Sequence, residues 1–158
     1  MKAATINEIK QELMAIPPAK LLDLCLRLAK YKKENKELLT YLLFDAHDET
    51  GFIESVKADI TNQFAEINQS NLYYVKKSLR KILRTTARHV RHTGSKQAEV
   101  ELLLHFCSTL VNSSIPIHKS TVLNNLYQFQ IKKIARVIET LHEDLQYDYL
   151  KALNKLEK

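Results

Sequence analysis

Two glycines and three prolines are all that interrupt this chain of 158 residues. Between them, apolar side chains recur at three-and-four spacing. A backbone with so few residues able to turn sharply, carrying apolar stripes of helical period, folds as helices packed on helices rather than as sheet. A chain of this length buries roughly 70% of the surface it exposes when unfolded, so it needs neither disulfide nor metal to hold a core. The expectation is an all-α fold: a single compact, bundle-like array of seven or eight helices, with residues 1–158 forming one all-helical domain.

The helix starts and stops can be read along the chain. Thr5-Ile6-Asn7-Glu8 has the form of a capping box, so a first helix runs from Ile6 to about Ala15 and stops at Pro17-Pro18. A second, from Ala19 to about Lys33, gathers Leu21, Leu22, Leu24, Cys25, Leu26, Leu28 and Ala29 on one broad face. Asn35 is placed to cap a third, to about Phe44, whose run from Leu38 is apolar on nearly every side and so belongs at the centre of a core. Asp45 or Asp48 caps a fourth, with Phe52, Ile53, Val56, Ile60, Phe64 and Ile67 at helical spacing. Leu72 to Thr93 is a fifth, stopped at Gly94, and Ser95 caps a sixth to about Val111. Asn112 to Ile117 is a loop, and from Ser120 onward the pattern fits one long helix or two with a break near Gln128 to Gln130. Cys25 and Cys107 both fall on apolar faces, which predicts two buried, reduced thiols.

The stretch Leu21 to Asp45, centred on Lys33-Glu34-Asn35-Lys36-Glu37-Leu38-Leu39-Thr40-Tyr41-Leu42, resembles the opening of a family of small bacterial all-helical proteins of uncharacterised function. The resemblance implies helices and a bacterial source. It implies no activity, and no site residues carry over from it.

Much familiar chemistry is excluded. A phosphate-cradling loop needs clustered glycines, and Gly51 and Gly94 lie far apart. No CxxC, HExxH or GxSxG occurs. No apolar run reaches the roughly 18 residues of a membrane span, and the chain turns polar directly after Met1, so a cytoplasmic protein without integral membrane association is expected. His89 and His92 sit three apart on one helix, but His105 and Cys107 point about 160° apart on the next, which disfavours a shared ion. No metal or cofactor is therefore expected. Asp45-Ala46-His47-Asp48-Glu49 gathers three carboxylates and an imidazole, the raw material of an unrecognised enzyme's acid/base site. Capping the next helix is the simpler role for those acids. The tyrosines read as core or boundary residues with a wet tip.

Charge singles out one helix. The formal charge is +6, from 24 basic and 18 acidic residues, yet Leu72 to Thr93 carries seven basic residues and no acid, leaving the remainder at −1. Lys77, Arg80, Lys81, Arg84, Arg88 and Arg91 fall within an arc of about 100°, opposite Leu72, Val75, Leu79, Ile82, Leu83 and Val90. Such a ridge attracts phosphates, and arginine's fork suits them. The acidic segment 45–66 offers a competing fate, neutralisation within the molecule. The expected function is a non-catalytic helical binding module whose basic helix 72–93 contacts nucleic acid or, failing that, an acidic protein. A structural or adaptor role is the alternative, with a homo-oligomer formed through a C-terminal seam of Ile131, Ile134, Ile138, Leu141 and Leu145.

Overall fold

The computed structural model describes residues 1–157, and among these the chain is all-α, with eight α-helices and no strand. Its backbone groups into two compact units, Met1–Phe44 and a second beginning at Asp45.

The first unit contains α1 (Ile6–Ala15), α2 (Pro18–Tyr31) and α3 (Lys33–Thr40), which runs on into a π turn, Tyr41–Asp45. The capping box forms as expected: Thr5 N–H donates to Glu8 Oε2 at 2.7 Å, and Glu8 N–H donates to Thr5 Oγ1 at 3.3 Å. Asn35 does not cap α3, which already starts at Lys33. Its Nδ2 donates instead to the Leu28 carbonyl at 2.8 Å, tying α3 to the last turns of α2. The central position expected for the run Leu38 to Phe44 is also corrected. Leu42, Leu43 and Phe44 are 56%, 64% and 66% exposed, and Tyr41 alone is buried. Helices α2 and α3 pack on each other, and one helix–helix contact covers only one side of a segment that is apolar on all sides.

The same geometry separates the two thiols. Cys25 is half-buried beside Leu28 and Leu38 in the cleft between α2 and α3, whereas Cys107 is fully buried and its thiol is pushed up to about 12 by that burial. In the folded protein a thiol reagent therefore labels Cys25 first, and Cys107 only when the chain unfolds. Mass spectrometry of a time course checks this, and equally fast labelling of both would contradict it.

The second unit contains α4 (Glu49–Ala65), α5 (Leu72–Thr93), α6 (Lys96–Asn112), a 3₁₀ turn (Ile117–Lys119), α7 (Thr121–Ile138) and α8 (Glu143–Leu156). Helix α6 is its centre, packing against α4, α5, α7 and α8. It can do so because it is apolar on most sides, with Val100, Leu102, Phe106 and Leu110 completely enclosed. Side-chain caps start α4, α5 and α6: Asp48 Oδ1 accepts from Gly51 N–H at 2.9 Å, Asn71 Oδ1 from Tyr73 N–H at 2.8 Å and Ser95 Oγ from Ala98 N–H at 3.2 Å. Gly94, at φ 63°, ends α5 in the left-handed conformation that a side chain disfavours. A polar tie joins three helices, since Glu101 on α6 accepts from Lys57 Nζ at 3.0 Å and from Tyr149 OH at 2.8 Å. Burial pushes the Glu101 carboxyl up, but these partners outweigh it and hold the group below the usual range.

The C-terminal segment is two helices, and the break lies at Glu139 to His142 rather than near Gln128 to Gln130, which stay within α7. Thr140 Oγ1 donates back to the Val137 carbonyl at 2.7 Å, and His142 Nδ1 accepts from Asp144 N–H at 3.4 Å to start α8. Tyr127 OH then donates to the Leu156 carbonyl at 2.7 Å, holding the returning helix against α7. Ile131, Ile134 and Ile138 are buried in this unit's own core, with Leu141 packed against it and Leu145 half-buried. The three isoleucines have no surface left to offer a second copy. Among the described residues, no helix is long and apolar enough to cross a membrane.

Candidate nucleic-acid interface

Helix α5 has two sides with different jobs. Val75, Leu79, Ile82 and Thr86 are buried, and Thr86 satisfies its own hydroxyl by donating to the Ile82 carbonyl at 2.9 Å. On the other side Lys77, Arg80, Lys81, Arg84 and Arg91 are exposed, and Arg88 is half-buried. Among the described residues the acidic segment forms no ion pair with the five exposed cations. Among the described residues none of them lies within 4.0 Å of a carboxylate, and Lys57 is the base that pairs with Glu54 and Glu101.

The ridge borders two grooves. One, of about 350 Å³, runs along α5 and is lined by Tyr73, Lys76, Lys77, Arg80 and Arg84. Tyr73 is 63% exposed and rests edge-on against Tyr74, with ring centroids 5.5 Å apart. The other, of about 230 Å³, lies over α6, with Arg84 and Ala87 of α5 on one wall and Phe129 and Lys133 of α7 on the opposite one. Arg84 belongs to both. Glu99 sits on the floor of the second groove, where Lys133 Nζ approaches at 2.8 Å and Lys96 Nζ at 3.3 Å. Burial pushes the Glu99 carboxyl up, but the two lysines outweigh this and hold it below the usual range.

The second wall was not anticipated from the sequence. Phe129, Lys132, Lys133 and Arg136 share an arc of about 100° on α7, a helix that contains no Asp or Glu. The spacing was there to be read. It was hidden because a remainder charge of −1 averages the three bases of α7 with the acids of other helices.

The remaining candidates resolve into local structure. Asp48 caps α4, and a Cβ at Gly51 would run into its carboxylate, so the Asp48-to-Gly51 spacing is built around that cap. Among the described residues no three His, Cys, Asp or Glu side chains gather where they could hold a metal ion. The His89 ring packs edge-on against Phe52 at 5.8 Å and against His92 at 5.9 Å. His105 faces α4 instead, with Nε2 2.9 Å from Thr61 Oγ1, and burial pushes its imidazole below the usual range.

One family profile, described as a Schizosaccharomyces pombe repeat of unknown function (DUF963), matches residues 107–125. This stretch runs from the end of α6 through the 3₁₀ turn into α7, apart from Leu21 to Asp45, and is too short to assign the chain to that family. No curated protein matches the chain. No solved structure matches it either.

Proposed function

We propose that this chain is a non-catalytic helical binding module whose helix α5 contacts the phosphate backbone of nucleic acid. The observation that carries the reading is the set of five exposed cations on one face of α5, with no carboxylate partner among the described residues. Cations left in water next to one another repel, so a surface that keeps them together gains most from a ligand that brings closely spaced negative charge.

Spacing favours a nucleic-acid backbone over an acidic protein. At 1.5 Å per residue, the ridge from Lys77 to Arg91 extends about 21 Å, a length over which one strand of a duplex presents about six phosphates. Three of the five exposed cations are arginines, whose planar fork bonds two phosphate oxygens at once.

The test is binding of the full chain to fluorescent oligonucleotides at low salt, with polyglutamate as the competing polyanion. Binding that weakens steeply with added salt and that polyglutamate displaces poorly is the expected result. Absence of binding to RNA and DNA at low salt would overturn the proposal, and tighter binding to polyglutamate would move it to an acidic protein partner.

A further inference from the structure

We infer that the ligand of this face is a single strand, with its bases stacked on Tyr73 and Phe129 and its phosphates on the cations between and beside them. The inference rests on the phosphate-contact reading of α5 and names the kind of nucleic acid.

Three observations carry it. The first is the setting of the ridge. A helix that reads duplex enters a major groove about 12 Å wide and must project from its protein. Helix α5 does not project, because α4 and α6 pack against it and α7 walls the groove beyond Arg84. Its exposed cations occupy only about a quarter of the helix circumference. The second is the aromatic content of the same surface. Tyr73 borders the groove along α5 and Phe129 the groove over α6, and they are 63% and 64% exposed. Bases paired within a duplex keep their faces stacked on one another and cannot reach such rings, whereas unpaired bases can. The third is continuity. Arg84 lines both grooves, so a strand that leaves Tyr73 along Lys77 and Arg80 meets Phe129 and Lys133 without leaving positive surface.

Alternation of exposed rings with cations is the pattern that binds single strands with little sequence preference, because every base has a face to stack. The Lys133–Glu99 pair sharpens the geometry. Lys133 is anchored at 2.8 Å by a carboxylate on the groove floor, so its ammonium stays beside Phe129 rather than extending into solvent.

The experiment compares a mixed-sequence single strand with a duplex of the same length, by fluorescence anisotropy on the full chain at low salt, for wild type, Tyr73→Ala, Phe129→Ala and Phe129→Trp. Both aromatic residues are exposed, and circular dichroism verifies that the variants fold. The expected result is tighter binding of the single strand than of the duplex. Each alanine variant should lose about tenfold in single-strand affinity with an unchanged salt slope, and Phe129→Trp should retain it. Equal or tighter duplex binding, with alanine variants that bind as wild type, would overturn this inference and leave the phosphate-contact reading standing. Failure to bind either nucleic acid would overturn both.

Discussion

Replacing Ile138 with Asp is expected to unfold the unit that begins at Asp45. Ile138 ends α7 with no exposed surface, in one core with Ile134 and Leu110. The substitution removes an enclosed apolar side chain, a loss of about 2–4 kcal/mol. It also places a carboxylate in a buried apolar cluster, which costs at least about as much again unless the group takes up a proton. Against a total stability of about 5–15 kcal/mol for a domain, a loss of at least about 4–8 kcal/mol removes most or all of the margin across the lower half of that range. Ile138→Val, which removes one methyl group, should cost only about 1 kcal/mol and supplies the control. Urea unfolding followed by circular dichroism measures both. A folded, monomeric Ile138→Asp protein would contradict the core described above and would return the seam from Ile131 to Leu145 to the role of an interface between copies.

A second large effect is expected on binding with no effect on folding. Changing Arg80, Arg84 and Arg91 together to Gln keeps helix propensity nearly constant, and all three side chains lie on the exposed side of α5. The triple variant should melt within a few degrees of wild type. Its affinity for nucleic acid should fall by about a hundredfold at low salt, since each lost charge-assisted contact contributes on the order of 1 kcal/mol. An unchanged affinity would show that α5 is not the contact surface.

How far the sequence revealed these features varied with the physics of each. The end of α5 was legible because Gly94 offers the left-handed turn that stops a helix. The buried stripe of α4 was legible because one apolar face facing a core leaves a helical period. The exposure of Leu42, Leu43 and Phe44 was not. Periodicity tells which residues travel together around a helix, and says nothing of whether a further layer exists to cover them. The α7–α8 break was misplaced for a related reason. No glycine or proline marks Glu139 to His142, and apolar residues continue at three-and-four spacing from Ile138 through Leu141 to Leu145.

The candidate interface divides the same way. The ridge of α5 was visible because seven bases and no acid occupy one helix. The wall of α7 was not, because Phe129 and Lys133 become neighbours of Arg84 only when α6 sets both helices on one floor. Half-burial of Arg88 was equally invisible, since a projection of the helix placed it within the ridge.

The central claim is that exposed cations of α5 displace the counterions of a nucleic-acid backbone, and the slope of log affinity against log salt reads this directly. For a single strand, each phosphate neutralised contributes about −0.7, so engagement of the five exposed cations gives a slope of about −3 or steeper for wild type. The variant lacking Arg80, Arg84 and Arg91 should be shallower by about 2. A wild-type slope near zero, or identical slopes for the two proteins, would contradict the account.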